Sequence, residues 1–104
     1  MEPQMPQDTD DKFFERADAY ISLANQQVVD STRGKVSASM MYATSRFNAW
    51  VGACNCESAE ELAAAREQAI EYFVKQYREM LTENLDQYIQ NFDAYMAAAQ
   101  EGKG

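Results

Sequence analysis

The chain has 104 residues, with 17 acidic side chains, 9 basic side chains, no histidine and a formal net charge of −8. This length fits one domain, and the missing histidine removes the commonest general base and metal ligand. The acidic excess argues against a nucleic-acid partner, because binding to phosphates needs clustered lysine and arginine. Apolar residues make up 46% of the chain, yet no stretch approaches the roughly 18 apolar residues of a membrane-spanning helix.

The two ends and the cysteines indicate the compartment and the limits of the domain. Residues 1–8 are polar, contain both prolines and lack the basic and apolar regions of a signal peptide. A small secreted domain would use more cysteines than Cys54 and Cys56. We therefore predict a cytoplasmic protein with mobile tails at residues 1–8 and 101–104 and a single helical domain at residues 9–100.

The first apolar periodicity runs from about residue 10 to residue 31. Its apolar residues recur at helical spacing and place one stripe on one face: Phe13, Ala17, Tyr20, Ile21, Ala24 and Val28. Acids at residues 8, 10 and 11 suit the positive end of a helix. Gly34, between Arg33 and Lys35, predicts the end of this helix.

The second periodicity, from about residue 36 to residue 54, has spacings of four and three that are typical of a coiled-coil seam. The seam consists of Val36, Met40, Ala43, Phe47, Trp50 and Cys54. Its length matches the first helix, which predicts an antiparallel hairpin. On this seam Cys54 is expected to be a small buried residue.

The third periodicity covers residues 58–99. It opens with a capping box, in which Ser58 caps the helix and Glu61 reaches back to the Ser58 amide. The main apolar row is Ile70, Val74, Tyr77, Leu81, Leu85, Tyr88, Phe92, Tyr95 and Ala99. A second row widens this stripe and consists of Ala69, Phe73, Met80 and Met96.

These segments predict an all-α protein, in which an antiparallel helical hairpin packs on a long amphipathic third helix. An unbroken third segment would span roughly 63 Å, against a radius of gyration of about 13 Å for a compact domain of this size. Alternatively, a bend near Thr82–Asn84 would give a four-helix bundle. Without the bend, a second chain must cover the predicted homodimer interface: Leu85, Tyr88, Ile89, Phe92 and Tyr95.

The second helix holds the candidate residues for ligand or anion binding. Its basic start contains Arg33, Lys35 and Ser37, and a helix N-terminus with such residues attracts anions. Further along lie Arg46, Asn48 and Trp50, which would line a ligand pocket. The plainer alternatives are a helix start at the first group and, at Arg46, a structural ion pair or an exposed arginine. If Arg46 is buried, it needs a carboxylate, for which the candidates are Asp18, Glu71 and Asp86.

No catalytic residue, metal site or cofactor is predicted. The pair Cys54 and Cys56 lacks the two further ligands that zinc requires. Carboxylate pairs such as Glu67 and Glu71 lack the histidines of di-metal bundles. Serine and cysteine are present, but no histidine base or nucleophile elbow accompanies them.

Five runs of sequence resemble a small proteobacterial family that is catalogued only as a domain of unknown function. They are residues 13–21, 33–40, 46–50, 72–78 and 83–88, and the similarity covers about residues 11–97. The resemblance implies a bacterial, cytosolic protein and transfers no site. The leading hypothesis is a non-enzymatic interaction or scaffold module that pairs with itself or another protein. The alternative is a helical bundle that binds a small ligand or anion.

Overall fold

The computed structural model describes residues 9–103, with side chains for residues 9–97. Its described part forms four helices and no strand: α1 Phe13–Val28, α2 Arg33–Cys54, α3 Ala59–Gln90 and α4 Phe92–Lys103. The all-α prediction is therefore confirmed. The predicted tail at residues 1–8 lies outside the described residues, as does Gly104, and the mobility of both tails stays a prediction. Among the described helices, none combines the length and apolar character that a membrane crossing needs.

Helices α1 and α2 contact each other and are joined by residues 29–32. So short a connection is typical of neighbouring antiparallel helices. The half-buried residues of α1 lie on one face, four or seven residues apart: Phe13, Ala17, Ala24 and Val28. Tyr20 and Ile21, which the sequence pattern also placed on this stripe, are exposed. Val36 of α2 is the one described side chain that is buried, with 7% of its surface exposed.

The predicted helix end at Gly34 is wrong, because Gly34 is the second residue of α2. α1 ends at Val28, and Thr32 then adopts an extended backbone and caps α2. The Thr32 hydroxyl accepts a hydrogen bond from the Lys35 amide at 3.2 Å. A capping threonine satisfies an amide that has no partner inside the helix, so the new helix begins before the glycine.

The start of α3 confirms the cap at Ser58 and corrects the second half of the capping box. The Ser58 hydroxyl accepts a hydrogen bond from the Glu61 amide at 3.1 Å. The Glu61 carboxylate accepts from the amide of Glu57, at 2.9 Å, and not from that of Ser58. The box therefore reaches one residue further back than predicted and holds the loop before α3 as well as the helix end.

Helix α3 continues through Thr82–Asn84, so the alternative bend there does not occur. The Asn84 side chain donates to the carbonyl of Met80 at 2.9 Å, within an unbroken helix. The helix is interrupted later, at Asn91, whose side chain donates to the carbonyl of Gln87 at 2.9 Å. Asparagine side chains compete for backbone hydrogen bonds in this way and disfavour helix interiors.

The described chain divides after Ile70 into two compact units. The first contains α1, α2 and the start of α3. The second, from Glu71, contains the rest of α3 and α4. The single domain at residues 9–100 and the packing of the hairpin on the third helix stay predictions.

Candidate functional site

Helix α3 carries apolar side chains on two separate faces. One face is half-buried and consists of five apolar residues and Gln76, spaced three or four residues apart: Leu62, Ala65, Ala69, Phe73, Gln76 and Met80. The other face is exposed and continues into α4, and we call it the apolar ridge: Val74, Tyr77, Leu81, Leu85, Tyr88 and Phe92. At about 100° per residue, the centres of the two faces lie roughly 120° apart around the helix axis.

The apolar ridge is exposed along its whole length. Exposure ranges from 41% at Leu81 to 58% at Phe92. Ile89 and Tyr95 adjoin the ridge and are 71% and 37% exposed. All five residues predicted to form an interface are therefore accessible to a partner, and their coverage by a partner stays a prediction.

Charged side chains avoid the apolar ridge. From residue 72 to residue 92, Arg78 is the charged residue within about 60° of the ridge centre. The remaining charges of this stretch lie on the opposite side of α3: Lys75, Glu79, Glu83 and Asp86. Depletion of charge distinguishes the centre of a protein interface from ordinary surface. The ridge therefore has the composition of an interface.

The interruption at Asn91 does not end the apolar surface. The rings of Tyr88 and Tyr95, on either side of Asn91, meet edge-to-face with centroids 4.7 Å apart. Such a pair joins the last turns of α3 to the first turns of α4 through side chains. The aromatic surface thus extends past the helix end.

The candidate binding residues of α2 form two groups along the helix. Arg33, Lys35 and Ser37 lie at its start and are exposed. The second group starts 13 residues after Arg33, about 20 Å along the axis, and consists of Arg46, Asn48 and Trp50. The nearest members of the two groups, Ser37 and Arg46, are nine residues apart, about 14 Å along the axis. Binding at either group stays a prediction.

Arg46 is exposed, so it needs no buried carboxylate. Among the described residues, the ion pairs are Asp10 with Arg16 and Arg66 with Glu67, and Arg46 joins neither. The rings of Phe47 and Trp50, on either side of Asn48, have centroids 5.4 Å apart and are both exposed. The seam predicted for α2 is therefore open to solvent after Val36.

The two cysteines are free thiols, of which Cys54 is exposed and Cys56 half-buried. The expectation that Cys54 is a buried residue is wrong, because the face of α2 that carries it is uncovered. Within the described part of the chain, no group of three or more cysteine, aspartate and glutamate side chains is placed to hold a metal ion.

An ion pair at the start of α1 shifts the pKa values of Asp10 and Arg16. The Arg16 guanidinium donates to Asp10 Oδ1 at 2.8 Å, and the Lys12 amide donates to the same oxygen at 3.2 Å. The hydrogen bond from Arg16 holds the pKa of Asp10 below its usual value of 3.8 and raises the pKa of Arg16. Both side chains are about half exposed, at 51% and 53%, where the chain enters α1.

Sequence reasoning missed the exposure of Val74, Tyr77 and Leu81, because it combined both apolar rows of the third segment into one stripe. The signal lay in the spacing. Leu62, Ala69 and Phe73 follow one helical row, and the apolar ridge follows another. Two rows that far apart around one helix cannot both face a single neighbour.

Comparison with known proteins identifies a family whose function is unknown. A family model described as "Protein of unknown function (DUF3144)" matches residues 13–89. The chain is similar to the protein NB7890A from Shewanella sp, whose structure was solved by NMR, with 39% identity and a TM-score of 0.71. That similarity covers 88% of this chain and 98% of the Shewanella chain. No curated protein matches the chain.

Proposed function

The chain belongs to the DUF3144 family of proteins of unknown function, and we propose that it is a non-enzymatic, self-associating helical module of the bacterial cytoplasm. The apolar ridge carries this proposal, because six large apolar side chains of one face are each at least 41% exposed. Soluble monomers rarely expose so continuous an apolar surface, whereas interfaces require one. The Shewanella relative supports a bacterial origin, and two free thiols fit a reducing compartment.

The proposed interface is the apolar ridge together with Ile89 and Tyr95. Aromatic residues supply half of these eight side chains, and aromatic residues are enriched where binding energy concentrates. The proposed partner is a second copy of the chain. Another protein with a complementary apolar helix is the competing partner, and the oligomeric state of the purified chain separates the two.

Sedimentation velocity of the purified chain tests the proposal. The matched variants are Leu85→Glu, on the ridge, and Gln90→Glu, on the opposite side of α3, because both add one negative charge. The unaltered chain and Gln90→Glu should sediment as dimers. Leu85→Glu should raise the dimer dissociation constant by about 100-fold, since each of two unpaired carboxylates would cost more than about 1.4 kcal/mol.

Circular dichroism keeps this test interpretable. Leu85 is 53% exposed, so Leu85→Glu should retain the helical signal of the unaltered chain while it loses the dimer. A monomer that persists for the unaltered chain at high micromolar concentration would overturn self-association. Equal dimerisation of both variants would place the interface elsewhere than on the ridge.

A further inference from the structure

We infer that two copies of the chain pair through α3 in antiparallel orientation, with a twofold axis at Leu81. The inference rests on the proposed self-association and specifies its geometry. The apolar positions of α3 and α4 are spaced symmetrically on both sides of Leu81. Tyr77 and Leu85 lie four residues away, Val74 and Tyr88 seven, and Ile70 and Phe92 eleven.

This symmetry depends on the central spacing. A strict heptad alternates three and four residues, whereas Tyr77, Leu81 and Leu85 follow one another at intervals of four. The second interval of four, from Leu81 to Leu85, corrects the drift of a straight helix against a heptad repeat. The six ridge residues therefore stay within an arc of about 80° around the helix axis. A twofold axis perpendicular to the helices requires that one surface complement itself when reversed. The ridge has that property about Leu81.

The size of the facing residues favours the antiparallel arrangement. Reversal about Leu81 sets each aromatic ring of the ridge opposite an aliphatic side chain: Tyr77 with Leu85, Tyr88 with Val74 and Phe92 with Ile70. Large and small side chains that face each other interdigitate and fill space well. A parallel pair would place each tyrosine against its own copy and leave Val74 facing Val74.

The helix dipoles favour the same orientation, because antiparallel helices place opposite ends of their dipoles together. Reversal about Leu81 also sets Arg78, the charged residue nearest the ridge centre, opposite Asn84, whereas a parallel pair would set the two copies of Arg78 at the same level.

The exposed area of the ridge is sufficient for a specific dimer. Its six residues are 41–58% exposed, which corresponds to about 600 Å² per chain if a fully exposed large apolar side chain offers about 200 Å². Two copies would then bury about 1,200 Å², the lower limit for a specific interface. Ile89 and Tyr95 bring the area available on each chain to about 800 Å², the standard size.

Distances between spin labels test the orientation. In a Cys54→Ser/Cys56→Ser background, a nitroxide is attached to Thr82→Cys or to Glu71→Cys, two exposed sites that lie on similar sides of α3. In the antiparallel dimer, the Thr82 labels are offset by about 3 Å along the axis and the Glu71 labels by about 30 Å. Double electron–electron resonance should therefore give a distance at least about 15 Å longer for Glu71.

The outcomes separate this inference from the proposed function. Sedimentation first establishes that the background and both labelled variants dimerise. A dimer with equal distances at the two sites is parallel, which overturns the antiparallel pairing and leaves self-association intact. If the Cys54→Ser/Cys56→Ser background and the unaltered chain are both monomeric, the antiparallel pairing and the proposed self-association are both overturned.

Discussion

Tyr88 and Tyr95 contact each other edge-to-face across Asn91, at a ring–ring distance of 4.7 Å and an interplanar angle of 78°. Because Asn91 interrupts the helical backbone between them, this pair should help to align α4 with α3. We expect Tyr88→Ala and Tyr95→Ala to be coupled by about 0.5 kcal/mol, the lower end for aromatic pairs, since both rings are partly exposed. A double-mutant cycle from urea unfolding measures the coupling.

The cycle is best measured in the Leu85→Glu background, where self-association does not contribute to the unfolding free energy. A control cycle combines Tyr77→Ala with Tyr95→Ala, since these residues lie 18 positions apart. The control changes should add, as distant sites do. A coupling at Tyr88 and Tyr95 no larger than in the control would refute the stabilising role of the pair.

Arg16→Gln should raise the pKa of Asp10 toward its ordinary value of 3.8. The hydrogen bond from Arg16 is the largest cause of the lowered pKa, and the variant removes it. Because the folded pKa is lowered, the contribution of this carboxylate to stability is present above pH 3.8 and is lost as pH falls below it. NMR titration of the Asp10 carboxyl carbon measures the change, with Arg33→Gln as the control that leaves the midpoint unmoved.

The cap of α3 gives a prediction about stability. Ser58→Ala removes the acceptor of the Glu61 amide and should lower the free energy of unfolding by about 1 kcal/mol. Glu61→Ala removes the acceptor of the Glu57 amide and should cost about 0.5 kcal/mol. Glu60→Ala, in the same helical turn, is the control for lost negative charge. Urea unfolding that ranks Glu60→Ala with Ser58→Ala would show that charge, not capping, stabilises this end.

Local signals predicted the helices well, because they depend on neighbours in sequence. The apolar periodicity located all three segments, and Ser58 marked the start of α3. Gly34 gave a wrong prediction of the end of the first helix, because Thr32, two residues earlier, already caps the start of α2. The interruption fell at Asn91 and not near Thr82, although Asn84 and Asn91 form the same hydrogen bond to a carbonyl four residues back. Which of the two asparagines interrupts the helix is therefore not decided by neighbouring residues in the sequence.

Burial was harder to predict than helicity, because periodicity identifies an apolar face without identifying its neighbour. The row through Phe73 is half-buried, while the row through Tyr77 and Leu81 is exposed. Both rows have the same spacing of three and four residues. The candidate residues of α2 show the same limit, since Arg33 and Arg46 lie on one helix but about 20 Å apart.

Reversal about Leu81 predicts that paired charges restore a dimer that single charges break. Val74→Lys or Tyr88→Glu alone places unpaired charges in the interface and should weaken the dimer by about 100-fold. In the antiparallel arrangement, the double variant Val74→Lys/Tyr88→Glu forms two lysine–glutamate pairs and should dimerise about tenfold more tightly than either single variant. A parallel arrangement would instead set lysine against lysine and glutamate against glutamate, so the double variant would dimerise less than both. Sedimentation at low salt, with the double variant Val74→Lys/Gln90→Glu as control, distinguishes the two, because the control adds the same charges without the pairing.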